Sequence, residues 1–278
     1  MIIFSAHLHR FGIYNNHLHK LQLHNEGNMS LITSTVGFIV TASGKKLIFY
    51  HSLLEKQPQT ILHDAEIIQM IQLSPCSVAV LDENSMVFEY FSDGKRNRKF
   101  FKIEKDVRLG FISHKGSMSP IQLGEDGAIF EDTKIIQNVN LKASDLATGL
   151  EHFAIITGTQ LTFNGSNQRG QIPESNVDNV KLFCCTGWGT AWITQDGDFL
   201  SHGFETDRID TKRIKNIIEK YNIVHFIGGN HFLVLASKNN VFWIGPDEYF
   251  EMKSDQEIRS IFSSQYDCFI DCSNCNEN

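Results

Sequence analysis

Proline is scarce in this sequence, 5 residues in 278. No stretch approaches 18 uninterrupted apolar residues, so there is no candidate for a helix that crosses a membrane. The opening segment Met1-Ile-Ile-Phe-Ser5 lacks the basic region and cleavage site of a secretory signal. Cysteine is limited to 6 residues without regular spacing, which fits a reducing compartment better than a disulfide framework. Positive charge is in deficit, with 25 Lys and Arg against 32 Asp and Glu and a net charge of −7. Nucleic acid is therefore not expected as a direct ligand, because phosphate binding needs a basic footprint. Also missing are the Gly-x-Ser-x-Gly elbow, the phosphate-binding loop, the zinc-protease helix motif and the dinucleotide fingerprint. These absences together predict an intracellular protein, cytoplasmic or nuclear, that is not an enzyme and carries no cofactor.

What is abundant is phenylalanine, 21 residues, in a chain that is 41% hydrophobic. Aromatic residues suit half-buried pleated surfaces, so the bias leans towards sheet. The length suffices for one well-buried domain, residues 1–278. A motif also recurs. Leu146-Ala-Thr-Gly149-Leu-Glu-His152-Phe-Ala-Ile-Ile156 is echoed at Cys184-Cys-Thr-Gly187-Trp-Gly-Thr190, at Phe226-Ile-Gly228-Gly-Asn-His231 and at Phe262-Ser-Ser264-Gln-Tyr-Asp267. Upstream, a small residue before an apolar strand survives at Gly37, Ser77 and Ser119. The seven anchors 37, 77, 119, 152, 190, 231 and 267 are spaced by 40, 42, 33, 38, 41 and 36 residues. Units of about forty residues match one blade of a β-propeller.

Each anchor strand leads through a turn to a second strand. Gly44, Asp126-Gly127, Asp196-Gly197 and Asn239-Asn240 sit between apolar runs and are expected to supply the positive φ of tight hairpins. One segment breaks the pattern: Asp210 to Tyr221 places Ile214, Ile217, Ile218 and Tyr221 at helical spacing, which predicts a helix in a connection between units.

One unit is sharp enough to carry a resemblance. Gly149-Leu-Glu-His152, an apolar strand, and then Gly165-Ser-Asn167-Gln-Arg-Gly170-Gln171-Ile172 resemble the repeat of the regulator of chromosome condensation family. That resemblance implies an all-β, seven-bladed β-propeller closed by pairing of the N- and C-terminal strands. The chain fits this in pattern, since the last unit ends near Ile270 without a second strand and Met1-Ile-Ile-Phe4 reads as a strand. Such closure removes exposed sheet edges. The resemblance also implies that His152, His231, Asn167 and Gln171 are repeat residues whose side chains serve buried backbone. Gly149, Gly165, Gly170, Gly187 and Gly228 read as backbone requirements of tight turns.

The positions between the repeat glycine and histidine should cluster on one face of such a fold. They are Leu150 and Glu151, Trp188 and Gly189, Gly229 and Asn230, Gln265 and Tyr266. Of these, Leu150, Glu151, Trp188, Asn230 and Tyr266 form the candidate partner-binding face, since aromatic anchors dominate protein interfaces. Other clusters read more plainly. The histidines at 7, 9, 17, 19 and 24 read as a solvent-facing strand edge rather than a metal site. The Cys-x-x-Cys at Cys272 and Cys275 stands alone. The basic run Lys95 to Lys99 with Lys102 reads as a solvated loop before a buried strand. The expected function is that of a non-catalytic adaptor or scaffold for one or more proteins. The alternative, from the family's founding member, is guanine-nucleotide exchange on a small GTPase.

Overall fold

The protein is described by a computed structural model covering residues 2–5, 19–20, 31–34, 38–51, 58–74, 76–91, 93, 96–102, 108–114, 117–123, 129–131, 134–137, 143–203, 208–246, 249–263 and 267–272. Two compact units emerge, Met1–Lys105 with Ile261–Asp271, and Asp106–Ser260 with Cys272–Asn278. Both are built from antiparallel sheets of three or four strands, most of them consecutive in the chain.

In the first unit, β1 (Ile2–Ser5) and β2 (His19–Lys20) share a sheet with β25 (Ile258–Ser263) and β26 (Asp267–Cys272), in the order β2-β1-β26-β25. The N-terminal strand pairs with the C-terminal one in the register Ile2 with Ile270 through Ser5 with Asp267. The next sheet is β3 (Leu31–Ser34), β4 (Ile39–Ser43), β5 (Lys46–Tyr50) and β6 (Gln59–Leu62). It is followed by β7 (Ile67–Ser74), β8 (Ser77–Asp82), β9 (Met86–Phe91) and β10 (Arg96–Lys102). The basic run therefore lies mainly on a strand at the sheet's edge and not in a loop. There β10 pairs with β9 through two register shifts, and such irregularity with charge protects an edge from further pairing.

The core of this unit joins two sheets through Phe38, Val40, Leu47, Phe49, Val78, Val80 and Phe88. Beside it lies a polar clasp that the sequence did not announce. His63 Nε2 meets Asp82 Oδ2 at 3.2 Å, and its Nδ1 meets the Tyr90 hydroxyl at 2.6 Å. The other carboxylate oxygen accepts the backbone N–H groups of Asn84 and Met86, at 2.9 Å each, and so fixes the β8–β9 turn. All three side chains are buried.

The second unit holds β11 (Arg108–His114), β12 (Ser117–Leu123), β13 (Ile129–Glu131) and β14 (Lys134–Gln137). Then come two three-stranded sheets, β15 (Ala143–Thr148), β16 (His152–Thr157), β17 (Gln160–Gly165), and β18 (Val180–Cys185), β19 (Gly189–Thr194), β20 (Phe199–Gly203). Helix α1 (Thr211–Lys220) precedes the last sheet, β21 (His225–Gly228), β22 (Leu233–Ala236), β23 (Asn240–Ile244) and β24 (Tyr249–Lys253). In every sheet the anchor residue falls on, or within two residues of, the strand that pairs on both sides. These strands are the most apolar because both of their faces are covered: β16, β19 and β22 are buried at every position.

The helix lies where its periodicity places it, between two sheets. Asp210 caps it by accepting the Arg213 N–H at 3.0 Å, and Tyr221 closes it through its N–H to the Ile217 carbonyl at 2.9 Å. Ile214 and Ile217 enter a cluster with Ile193, Phe199, Phe226, Leu233, Leu235 and Phe242, and so fill the space between the β18–β20 and β21–β24 sheets. Gly44 and Gly197 take the positive φ expected of the hairpins, +55° and +89°. Asn239 and Asn240 do not. Their turn is held by Ser237, whose N–H donates to the Asn240 carbonyl at 2.9 Å and whose Oγ accepts the Asn240 N–H at 3.1 Å. The turn before β9 instead uses Ser85, at φ 63°.

Removing the imidazole by His63→Ala strands a buried carboxylate and a buried hydroxyl at once. The expected cost is about 3 kcal/mol, against about 1 kcal/mol for Tyr90→Phe, which removes a single hydrogen bond. Urea unfolding followed by far-ultraviolet circular dichroism measures both, and equal midpoints for the two variants contradict the clasp.

Candidate functional site

The site is built on the loops that open the doubly paired strands of the second unit. In the loops that open β16, β19 and β22, one residue donates its N–H to the carbonyl three positions on: Gly149 to His152 at 2.8 Å, Thr186 to Gly189 at 2.7 Å and Gly229 to Phe232 at 3.0 Å. This places His152, Gly189 and Phe232 at equivalent points. The motif reading set Gly187 with Thr190 and Gly228 with His231 at these points, so it is one residue out of register in both later units. For His231 the reason is packing. The equivalent point faces inward, and the exposed His231 cannot fill it, whereas Phe232 lies fully inside against Trp243 at 5.3 Å. His231 instead stands in the loop, its Nε2 at 3.3 Å from the Asn230 amide.

Successive loops are then tied by their backbones. Leu150 donates to the Gly187 carbonyl at 3.0 Å, and Gly187 donates to the Asn230 carbonyl at 3.2 Å. The approach is so close that a Cβ on Gly187 would overlap the Asn230 amide, and one on Gly228 would overlap the Cys185 carbonyl. Gly149, Gly187 and Gly228 are thus needed for lack of room rather than for a turn; among the repeat glycines only Gly165 and Gly170 have positive φ, +112° and +69°. Leu150, Glu151, Trp188 and Asn230 consequently gather on adjacent loops, each partly exposed. Tyr266, the fifth residue of the expected face, lies outside the described residues, as do His7, His9, His17, His24 and Cys275.

Beneath the loops lies a buried polar network. His152 Nε2 is 3.2 Å from the Gly189 carbonyl and 3.0 Å from Thr190 Oγ1. A carbonyl only accepts, so Nε2 carries the proton. The Thr190 hydroxyl donates to the Gln171 carbonyl at 3.0 Å. Gln171, itself fully buried, accepts the Arg169 N–H on Oε1 at 2.8 Å, and Asn167 Oδ1 accepts the Ile172 N–H at 2.8 Å. The repeat residues His152, Asn167 and Gln171 therefore hold the connection after β17 against the β19 loop. That connection carries Arg169, whose guanidinium sits 5.1 Å above the Trp188 ring. Arg169 and His231 are additions to the face, and spacing alone gave no signal for either.

The titratable groups beneath and beside these loops are withdrawn from solvent. Burial pushes the His152 imidazole down to about 4, with the Gly189 carbonyl opposing the shift only in part. Tyr90–His63–Asp82 has the order of a proton relay, yet each member is at most 3% exposed. Burial also drives the Cys185 thiol up to about 12, and that of Cys184 well above its ordinary range, which leaves both as poor nucleophiles. Among the described residues no group of three or more His, Cys, Asp or Glu is placed to hold a metal ion. No described helix is long and apolar enough to cross a membrane.

No family model matches the sequence, and no curated protein matches it. Solved structures do match the fold. Human WBSCR16 is similar at a TM-score of 0.67 and 10% identity, over 92% of this chain and 90% of that one. The WD40 ectodomain of the receptor kinase ACR4 from Arabidopsis thaliana is similar at 0.52 and 14%, over 77% and 78%. PorZ of Porphyromonas gingivalis is similar at 0.52 and 9%, over 89% of this chain but 38% of its own. WD40 domains are propellers. The chain is thus an all-β protein of small antiparallel sheets with neighbours of propeller type. At such identities the likeness carries the fold alone.

His152 makes stability depend on pH. Its folded pKa lies below the unfolded value of about 6.5, so the unfolded chain binds the extra proton as pH falls from 6.5 to about 4. Stability is complete above that window and is lost across it, by on the order of 3 kcal/mol. His152→Gln, which keeps a donor without a titrating ring, is expected to flatten that part of the slope. Urea unfolding at pH 7, 5.5 and 4.5 reads the difference; parallel slopes in the two proteins would remove His152 from the account.

Proposed function

We propose that the chain is a divergent member of the regulator of chromosome condensation repeat family, a closed seven-bladed propeller that acts as a non-catalytic scaffold. The pairing of β1 with β26 and the repeat near forty residues support the closed ring. One observation carries the function: adjacent loops, tied backbone to backbone, present Leu150, Glu151, Trp188, Asn230 and His231 together above a rigid buried network. Loops on a rigid scaffold are where binding residues concentrate. A partly exposed tryptophan held by Arg169 has the make-up of an interface hot spot. The partner is a protein docked on these loops, and the compartment is intracellular, cytoplasmic or nuclear.

Affinity purification from native lysate, wild type beside Trp188→Ala and each with or without GTP, tests this. The expected result is a protein retained irrespective of GTP and reduced at least about tenfold by the substitution, the loss of a hot spot worth roughly 2 kcal/mol. A small GTPase retained only without nucleotide overturns the scaffold reading in favour of nucleotide exchange. A partner that persists undiminished on Trp188→Ala moves the docking face elsewhere.

A further inference from the structure

Helix α1 carries more positive charge than its own acidic residues balance, although Arg213 already lies 3.6 Å from the N-cap carboxylate of Asp210. Residues 208–220 hold Arg208, Lys212, Arg213, Lys215 and Lys220 against Asp210 and Glu219, in a chain whose net charge is −7. Lys212, Arg213, Lys215 and Lys220 are all exposed. The first turn has no acidic residue; Lys212 and Arg213 stand there against the helix dipole. A merely solvated face would gain from the opposite placement. The apolar stripe is already spent, since Ile214 and Ile217 are buried and Ile218 packs on the same cluster. The helix therefore has no apolar face left to give a lipid surface.

Two of the cations are also held in place. The Arg213 guanidinium lies 4.5 Å over the Tyr249 ring, and the Lys220 ammonium 5.0 Å over the Tyr221 ring. Both phenols donate to one carboxylate, Tyr221 to Glu251 Oε1 at 3.3 Å and Tyr249 to Oε2 at 3.1 Å. Burial and the Glu251 carboxylate push the Tyr249 phenol up to about 12, so that ring stays neutral under its cation. Cations fixed in this way lose less freedom when they meet an anion.

We infer that the solvent face of α1 is a second docking surface, for an acidic segment of a partner protein. Carboxylates suit the planar Arg213 and the ammonium groups beside it. Single-stranded nucleic acid fits less well, because it needs open aromatic faces for its bases, and here Arg213 and Lys220 occupy them. Ten residues of helix span about 15 Å, the reach of roughly five residues of extended chain.

The probe is a fluorescein-labelled octaglutamate peptide, read by anisotropy at low salt on the full chain, with a labelled octathymidine strand in parallel. Wild type is expected to bind the peptide, and Lys212→Glu with Lys215→Glu to weaken it at least tenfold without moving the thermal midpoint. Both lysines are exposed helix positions, so the fold tolerates the change. Trp188→Ala is expected to bind as wild type does, which separates this surface from the loop site. Equal binding by the double variant, tighter binding of octathymidine, or loss on Trp188→Ala each overturns the inference.

Discussion

The hydrogen bond between the His152 imidazole and the Gly189 carbonyl ties two sheets of the second unit together where their loops begin. It is the constraint on which the candidate face depends. The Thr190 hydroxyl, within reach of the same nitrogen, passes the connection to the Gln171 backbone, and the Gln171 side chain then sets the backbone of Arg169. A single chain of polar contacts thus runs from the core to the residue lying on Trp188. Burial disfavours a second proton on the ring, which keeps its Nε2 proton directed at the Gly189 carbonyl.

The two units solve one problem with different residues. Small sheets packed side by side bury the ends of their strands, and a polar side chain must bridge neighbours there. In the second unit the bridge is a histidine on a backbone carbonyl. In the first it is His63, held between Asp82 and Tyr90, with the carboxylate also closing a turn. The first unit's repeats are harder to read. Its clasp residues sit 19 and 27 positions apart on three different elements, and no local motif links them.

Strand positions and the helix were largely legible, because apolar runs of five or six residues at regular intervals and one 3.6-residue period have few other solutions. In the Gly149–Gln171 unit the backbone-holding parts of His152, Asn167 and Gln171 were legible, while Gly149 looked like a turn glycine. In the later units the motif was misread by one position, since Gly187 and Gly228 look like turn glycines while acting as points of backbone contact. The run Phe232-Leu-Val-Leu-Ala was the better guide: it begins at the buried point, one residue after His231. On a strand covered on both faces, a continuous apolar run marks the buried span more firmly than a repeat consensus does. Arg169 over Trp188 joins residues nineteen apart on different elements, which no one-dimensional pattern reports.

The polar groups of the second unit divide into buried and exposed sets. A catalytic acid or base must meet both solvent and substrate, with a pKa brought towards the working pH. His152 has moved away from neutrality and lies fully inside, and Cys184 and Cys185 have moved away too. The groups that reach the surface are of another kind. Trp188, Arg169, Asn230 and His231 on the loops, and the stacked cations of α1, are shaped for contact. Burial falls on the residues that tie the loops together and exposure on those of the proposed face, and on that proposal the division lowers the entropy lost on docking.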